Sequence, residues 1–563
     1  MMRVIGIDLG TTNSACGVWM ADGVKLIPNS LGEFLTPSVV GVDAEGKVIV
    51  GQSAKERLLY HPDKTIAAFK RWMGSDYSIK LKDQNFTAIE LSSLILRALK
   101  ADAEAFLGET VSEAVISVPA YFNDNQRLAT KQAAELAGLK VQRLINEPTA
   151  AAMAYGLHEK NDGTFLILDL GGGTFDVSLL EFFDGIMEVH ASAGDNYLGG
   201  EDFVNAMIET VLNEHGVKRE ELVDNQLQQL YRQMEMAKRA LGTQEQTLEL
   251  ELGSKSVEQK ITLDWFARLA TPLLVRIKQP IERALRDSKT ERSAIDDVLL
   301  VGGSTRLAAF RSTIAKMFGR FPAANLDPDT VVASGAAIQA GLIMRDEALE
   351  DVVLTDVCPY TLGTGVVNEA SPDQGNLFMP IIERNTTVPV SISRKVYNAY
   401  DNQDQLRIRV YQGEHRLVRK NVLLGELLVD VTPLPEGQEV VEIRYSYDMN
   451  GLLEVDATVQ STGKTYNKII EHVPGTLTEE TKQASLERLA KLKFHPREGE
   501  ENRTLLARGE RLYESSLGTR REYIAELMAY FEKALESQNA IEIAQARQQI
   551  SRALDEIEGE SLF

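Results

Sequence analysis

Two short stretches, Asp8-Leu-Gly-Thr-Thr-Asn13 and Asp169-Leu-Gly-Gly-Gly-Thr-Phe-Asp176, open alike although they lie far apart in the chain. Glycines let backbone N–H groups approach an anion closely, and threonine hydroxyls add hydrogen bonds to phosphate oxygens. An aspartate at the mouth of each turn would repel phosphate unless a divalent cation lay between them. The simplest chemistry for the pair is a Mg²⁺–nucleotide held between two facing lobes. Either turn alone is more often a ligand-free hairpin; the shared Asp-Leu-Gly opening is what argues for a site.

Each turn needs a strand to aim it. Val4-Ile-Gly-Ile7 precedes the first and Phe165-Leu-Ile-Leu168 the second, and in both cases the chain continues as a second strand. A third glycine-rich turn, Val301-Gly-Gly-Ser-Thr-Arg306, comes after Val298-Leu-Leu-Val301 and precedes a helix, so its backbone N–H groups can meet a polar ligand. Gln126 to Ala137 is rich in helix formers and closes on Gly138, after the strand Ala114-Val-Ile-Ser-Val118. The only Gly-Lys-Thr, Gly463-Lys464-Thr465, has Thr458 where a P-loop requires its first glycine and sits at a hairpin turn; it is no phosphate loop.

At 563 residues the chain exceeds one core and should hold two to four domains. With 44% hydrophobic and 25% charged residues it has a globular composition, and a net charge of -22 excludes a general nucleic-acid binder. Cys16 and Cys358 are far apart within apolar stretches and read as buried free thiols in a reducing cytoplasm. No basic n-region with an apolar h-region opens the chain, and no window reaches the roughly 18 apolar residues of a membrane span. The seven histidines include no pair at metal-ligand spacing, and no Ser-His-Asp set stands out.

Strands alternate with helical patterns over residues 1–349, the mark of α/β architecture. In 350–357 an apolar strip, Val352-Val-Leu354, reads equally as a core strand or as a linker that docks between domains. Over 358–474 alternation takes over: Leu406, Ile408 and Val410 share one face, as do Val441, Ile443, Tyr445 and Tyr447, and Asn450-Gly451 marks a type I′ hairpin. Residues 475–563 are helical, with Thr478, Glu479 and Glu480 as a cap and Tyr523, Leu527, Tyr530, Phe531, Ala534 and Leu535 as a packing stripe.

Ile5-Gly-Ile-Asp-Leu-Gly-Thr-Thr-Asn-Ser14, Asn146-Glu-Pro-Thr-Ala-Ala-Ala152, Asp169 to Asp176 and Leu300-Val-Gly-Gly-Ser-Thr-Arg306 together resemble the signatures of the DnaK-type seventy-kilodalton heat-shock chaperones. Asn385-Thr-Thr-Val-Pro389 and Tyr411-Gln-Gly-Glu414 extend the resemblance into the β-domain, and the short helical tail is similar to the bacterial HscC-like subgroup. The resemblance implies an actin-like two-lobed α/β ATPase domain, an antiparallel β-sandwich that binds peptide and a C-terminal α-helical lid. Gly10, Thr11, Thr12 and Asn13 would hold phosphates from one lobe, and Gly172, Gly173 and Thr174 from the other. Asp8 and Asp169 would hold Mg²⁺, largely through its waters. Lys70 matches the family's catalytic lysine, and Glu147 and Asp176 match carboxylates that organise the attacking water. A fixed cation there would stabilise charge on the transferring phosphoryl group. Adenosine would lie between Glu235, Lys238 and Arg239 on one helix and Gly303, Ser304 and Arg306 on the third turn, with Asp329 nearby. Without the resemblance, the first three read as a solvated helix face with charge pairs.

Pro119 and Arg127 match the family's relay between nucleotide and peptide domains, and Arg143, Asn146 and Asp356 match residues used with J-domain partners. The peptide channel would be Leu362, Thr364, Val367, Val396, Ala399 or Tyr400, Leu406, Ile408 and Leu452; by alternation alone these are strand core. Four features depart from the family. Gly242 replaces a serine, which removes a hydroxyl contact to the nucleoside, and Thr355 replaces a linker leucine. Thr364 and Val396 are smaller than the usual Ile and Phe, and the segment from Glu235 to Ile261 is short, which leaves dependence on a nucleotide exchange factor open. K⁺ joins Mg²⁺ and ATP or ADP by family analogy only.

The expected activity is an ATP-dependent chaperone, bacterial and cytoplasmic, that hydrolyses ATP to control its grip on extended apolar segments of unfolded clients. Its alternative is a nucleotide-gated clamp for one or a few regulatory clients. A sugar kinase or actin-like filament protein would share the two turns, but neither would need a linker, a β-domain and a helical tail beyond Glu350.

Overall fold

The computed structural model describes residues 3–43, 45–58, 60–81, 84–155, 163–183, 186–241, 245–323, 326–344, 353–367, 376–388, 390–447, 453–470, 500–536 and 540–560. Gly242, the turn at Asn450-Gly451, Leu452, the cap at Thr478 and the boundaries at 349–350 and 474–475 lie outside them.

Lobe I is built on β1 (Val4–Asp8), β2 (Asn13–Met20), β3 (Glu113–Val118) and β4 (Lys140–Asn146). They belong to a six-stranded sheet in which β1 pairs antiparallel with β2 and parallel with β3, and β3 parallel with β4. Lobe II repeats the scheme: β5 (Gly163–Leu170) and β6 (Phe175–Phe183) form an antiparallel pair, β7 (Ile186–Asp195) extends it, and β8 (Asp297–Val301) runs parallel to β5. Each phosphate-type turn is therefore the tip of an antiparallel pair whose first strand has a parallel neighbour, so one local geometry is presented twice.

The first half of the domain supplies the helices α1 (Gln52–Arg57), α2 (Asp124–Leu136) and α3 (Glu147–Ala154). The second half supplies α4 (Gly200–Glu214), α5 (Asp224–Ala240), α6 (Leu263–Asp287) and α7 (Val331–Ile343). Asn123 caps α2 reciprocally, its side chain accepting from the Gln126 N–H at 3.0 Å while Gln126 Oε1 accepts from the Asn123 N–H at 3.0 Å. Small residues let α3 and α7 meet: a Cβ on Gly335 would lie 1.7 Å from the Ala150 carbonyl oxygen, and one on Gly6 would lie 2.1 Å from the Ala337 nitrogen. Ile145, Ala151 and Val4 share a buried cluster with Phe165, Ile167 and Val301, so apolar packing of this small-residue layer joins the two lobes.

β9 (Val353–Val357) decides between the two readings of the apolar strip: it is a strand, parallel to β7 with Ile186 opposite Val353 and Glu188 opposite Thr355. Its far end pairs with the β-domain at Asp356↔Val388, so the linker is stitched to both bodies. The β-domain itself is two four-stranded antiparallel sheets. One holds β10 (Leu362–Val366) and β11 (Leu377–Ile382), and β12 (Thr387–Val388) leads to β13 (Val390–Tyr397) in the other. β14 (Gln405–Gln412) and β15 (Val422–Asp430) complete the first sheet; β16 (Val440–Tyr447), β17 (Leu453–Val459) and β18 (Thr465–Ile470) complete the second. Alternation along β16 and β17 buries Val441, Ile443, Tyr445, Val455 and Ala457 between the sheets.

The sandwich is docked on the lobes. Arg384 grips Asp287 of α6 with two hydrogen bonds of 2.7 and 3.1 Å, and Asp124 of α2 receives Tyr447 Oη at 3.3 Å. The helical tail comprises α8 (Glu500–Ser515), α9 (Gly518–Glu536) and α10 (Ala540–Glu560). α8 lies along α1 of lobe I, with Arg511–Glu56 at 3.2 Å and Ser53 Oγ–Thr504 Oγ1 at 2.8 Å. The packing stripe is narrower than its spacing predicted: Leu527, Phe531 and Ala534 are buried, whereas Tyr523 and Tyr530 are each half exposed, because only one side of α9 faces its neighbours. Among the described residues no helix is long and apolar enough to cross a membrane.

Candidate nucleotide site and its link to the β-domain

The two turns face each other at close range. A Cβ on Gly172 would lie 1.9 Å from Thr12 Oγ1, and one on Gly173 would lie 2.8 Å from Thr11 Cγ2. Only glycine fits either place. Gly10 is equally constrained, its would-be Cβ 2.0 Å from the Asn13 carbonyl oxygen. α4 starts directly behind the second turn, with the Gly200 and Glu201 N–H groups donating to the Gly171 and Gly172 carbonyls at 2.9 Å each. Thr174 closes that turn, its carbonyl accepting from the Gly171 N–H at 3.1 Å.

Behind the turns lies a buried charge cluster. Lys70 Nζ is 2.9 Å from Glu147 Oε1, with the lysine side chain only 4% exposed. Asp8 accepts from Ser117 Oγ at 2.8 Å, and Asp176 Oδ1 accepts from the Tyr121 N–H at 2.9 Å. Burial, with Glu147 next in importance, pushes Asp8 and Asp176 up to about 7. Asp169 is raised by burial and then by Glu147, Asp176 and Asp8, while Lys70 lowers all three. Four carboxylates thus share one buried lysine, a grouping that favours a further cation. Asp176 Oδ2 is buried with no hydrogen-bond partner in the structure, which suits it to hold a water. Among the described residues no three acidic, imidazole or thiol groups converge enough to chelate a bare ion. Mg²⁺ fits such a site, because it keeps waters and shares its shell with phosphate oxygens; when bound it supplies polarisation of the phosphoryl oxygens.

The third turn and α5 meet at the start of α4. Lys238 Nζ donates to the Gly200 carbonyl at 3.0 Å, and Ser304 Oγ to the Gly171 carbonyl at 2.9 Å. Glu235 pairs with Lys238 at 2.6 Å and Arg239 at 2.7 Å, so the intrahelical charge pairs are present, but the face is not solvated throughout, because Lys238 is buried against Gly200. Gly303 abuts Asp329, a Cβ there being 2.5 Å from Oδ1, and Arg306 binds Asp327 and Asp329 at 2.6 and 2.9 Å. Three contributors carry no signal in the sequence. Ser117 stands inside a strand and Arg71 is next to Lys70, yet their contacts, Asp8 for one and Asp202 at 2.5 Å for the other, are long-range. Tyr121 acts through its backbone, which no side-chain pattern announces.

From this cluster a hydrogen-bonded line runs to the linker. Glu147 is the first residue of α3, and Asn146 before it donates from Nδ2 to Asp356 Oδ2 at 2.5 Å. Arg127 donates to Asn146 Oδ1 at 2.6 Å and to the carbonyls of Ala120 and Phe122 at 3.1 Å each. The loop held in this way begins at Pro119, whose carbonyl accepts from the Phe122 N–H at 3.1 Å. Burial raises Asp356, while Arg127 and, less strongly, Arg143 lower it.

In the β-domain, Leu362 and Ile408 are fully buried in the sandwich core, and Thr364 donates its hydroxyl to the Arg409 carbonyl at 2.8 Å. As the chain stands these three present no face to a ligand. Leu406, Val396 and Ala399 are half-buried, and Val367 and Tyr400 are exposed.

Two lobes with facing glycine-rich turns, joined by a strand to a separate sandwich, define the class as a two-lobed nucleotide-type domain linked to a second, β-sandwich domain. A family model described as Hsp70 protein matches residues 4–84 and 76–561. Chaperone protein DnaK of Thermotoga neapolitana is 43% identical over 485 residues, 83% of this chain and 80% of that protein. Chaperone protein DnaK of Thermosipho africanus is 42% identical over 486 residues, 83% of this chain and 79% of that one. The chain belongs to the Hsp70 family of DnaK-type chaperones: it is an ATPase and an ATP-dependent molecular chaperone. Family members bind ATP or ADP with Mg²⁺ and act on polypeptide clients. These matches do not single out the HscC-like subgroup, and they favour neither the restricted clamp nor a sugar kinase or filament.

Charge in the cluster carries a pH signature. With Asp8 and Asp176 near 7, the nucleotide-free protein holds protons at neutral pH that a bound cation would expel. Binding of Mg²⁺-ADP is therefore expected to release protons at pH 7 and to weaken as pH falls through that value. Calorimetry at pH 7 in buffers of different ionisation heat checks this; equal heats after dilution correction would refute it.

Proposed function

We propose that hydrolysis in this chaperone is carried by Lys70, Glu147, Thr174 and Asp176, with Asp8 and Asp169 holding Mg²⁺ largely through water. Phosphates would be held by Gly10, Thr11, Thr12, Asn13, Gly172, Gly173 and Thr174, and adenosine by Glu235, Lys238, Arg239, Gly303, Ser304, Arg306 and Asp329. Lys70 offsets charge on the phosphoryl oxygens, and Asp176 orients the attacking water through Oδ2. Pro119, Arg127, Arg143, Asn146 and Asp356 couple this site to a peptide channel of Val367, Ala399, Leu406, Ile408 and Leu452, with Leu362 beneath it. Opening of the sandwich loops would expose the buried members. The functional units are residues 1–349, 350–357, 358–474 and 475–563. The chain works in the cytoplasm with a J-domain co-chaperone; K⁺ is a candidate second ion, and the short Glu235–Ile261 segment points to weak dependence on an exchange factor.

The observation that carries this reading is the line from Lys70 through Glu147 and Asn146 to Asp356, which puts the proposed catalytic charge pair next to the residue that contacts the linker. In this reading ATP weakens the grip on peptide, and linkage then requires peptide to weaken ATP binding by the same factor. ATP is therefore expected to speed release of a labelled apolar peptide; release indifferent to ATP would sink the proposal.

Thr355 supplies a finer test. Its Oγ1 is buried in the docked linker with no hydrogen-bond partner in the structure. Thr355→Val keeps the shape and removes the unpaired hydroxyl, so it should favour docking by about 1 kcal/mol, roughly fivefold. The readout is peptide affinity in ATP, expected to weaken by that factor while affinity in ADP stays put. A variant that binds peptide more tightly in ATP would contradict this account of Thr355.

A further inference from the structure

Tyr360 lies between the linker strand β9 and the first sandwich strand β10, and it reaches across to lobe I. Its ring centroid is 4.4 Å from that of Tyr121 with the planes tilted by 38°, and its hydroxyl donates to the Tyr121 carbonyl oxygen at 3.0 Å. Asn196 Nδ2 donates to the same carbonyl at 2.9 Å, and Arg283 of α6 reaches the Tyr121 hydroxyl at 3.0 Å. Tyr121 is thus held by lobe II at two points and by the β-domain at ring and carbonyl. Its own N–H is the group that fixes Asp176 Oδ1 at 2.9 Å, leaving Oδ2 as the oxygen without a partner. The N–H and the C=O of one residue are separated only by its φ and ψ, so a pull on the Tyr121 carbonyl turns the N–H that orients Asp176.

We propose that Tyr360 is a positioning residue for ATP hydrolysis. It gives the β-domain a second handle on the ATPase site, through the Tyr121 backbone to Asp176, distinct from the Asp356–Asn146 contact. The two handles share no hydrogen bond, but they meet on one loop, because Arg127, which donates to Asn146, also holds the carbonyls of Ala120 and Phe122 on either side of Tyr121. When the sandwich leaves lobe I, Tyr360 takes its ring and hydroxyl with it, and the carbonyl of Tyr121 keeps only Asn196. The orientation of the carboxylate that orders water then differs between docked and undocked states. Misplacement of a reacting group by about 1 Å costs up to about 100-fold in rate, so a small turn of Tyr121 suffices to register in hydrolysis.

The inference rests on the proposed role of Asp176 and on coupling between peptide and nucleotide, so wild type is measured first. Single-turnover ATP hydrolysis is followed with and without a saturating apolar peptide in wild type, Tyr360→Leu, Tyr360→Phe, Tyr121→Leu and the Tyr121→Leu/Tyr360→Leu double variant. The ratio of the two rates is the readout, with ADP affinity as control. In Tyr360→Leu the peptide effect should shrink about five- to tenfold toward none, with ADP affinity kept within about twofold. Tyr360→Phe, which keeps the ring and the fold, should lose about threefold, the share of one hydrogen bond. Tyr121→Leu keeps the backbone carbonyl and N–H and removes only the ring contact, so it should lose less of the peptide effect than Tyr360→Leu, and the double variant should be no worse than Tyr360→Leu alone. Wild-type coupling in Tyr360→Leu, or losses that multiply in the double variant, would overturn the role of Tyr360. A wild type with no peptide effect would instead overturn the coupling on which it rests.

Discussion

Lys70→Ala is expected to slow single-turnover ATP hydrolysis by about 10²–10³-fold while leaving ADP affinity within about threefold. Asp8, Asp169 and Asp176 are all raised by burial and by Glu147, and Lys70 is the cation that opposes this in each case. Its side chain is 4% exposed, so water screens little of that charge. Removing it leaves Glu147 without its 2.9 Å partner among three other carboxylates, which is unfavourable both for that group and for an incoming polyphosphate. The ground-state phosphates keep the backbone N–H groups of both turns, which is why binding suffers less than the rate. Breaking a buried pair of this kind costs about 3–5 kcal/mol of stability, so a thermal melt must accompany the kinetics. Lys70→Gln, which keeps a donor and most of the volume, separates the two effects: it should melt closer to wild type and hydrolyse nearly as slowly as the alanine variant. Normal hydrolysis by a folded Lys70→Ala protein would remove Lys70 from the catalytic set.

The glycine-rich turns were legible in the sequence because each is one contiguous motif set directly after its strand, although the contact that demands glycine there comes from the other lobe. A Cβ on Gly172 would fall 1.9 Å from Thr12 Oγ1 and one on Gly173 would fall 2.8 Å from Thr11 Cγ2, so glycine is required at both. The alternation of β16 and β17 was legible too, since a strand between two sheets must repeat with period two. Lys70 was not legible on its own; only its resemblance to a family position marked it, and burial against Glu147 supplies the physical content.

Contacts between distant segments were the part that spacing could not reveal. Val352-Val-Leu354 reads alike as core or as linker, and only the pairing of Ile186 with Val353 makes β9 an edge strand of lobe II. Alternation likewise could not tell a ligand-facing side chain from a core one. Leu362 and Ile408 are buried while Val367 is exposed, although all three fit the same pattern. Tyr523 and Tyr530 sit at helical spacing with Phe531 yet face solvent, because the stripe α9 buries is set by how wide its neighbours are.

Asp356→Ala should slow ATP-driven peptide release by roughly 5–150-fold with little change in nucleotide affinity. The docked linker is short, held by β7 over Val353 to Thr355 and by β12 over Asp356 and Val357. A single polar contact is therefore a large share of what holds it. The Asp356 carboxylate accepts from Asn146 Nδ2 at 2.5 Å and from the Val357 N–H at 2.8 Å, and both donors lose their partner in the variant. A buried donor left unpaired costs about 1–3 kcal/mol, a shift of roughly 5–150-fold in the docking equilibrium. Asn146 then holds Arg127 from a side chain no longer anchored, which loosens the loop from Pro119 to Phe122 as well. Asn146→Ala removes the same hydrogen bond from the other side, so the double variant should be little worse than either single one. Release by Asp356→Ala at the wild-type rate would mean that the Arg384–Asp287 and Tyr447–Asp124 contacts dock the sandwich unaided, and that the linker moves with the domain without leading it.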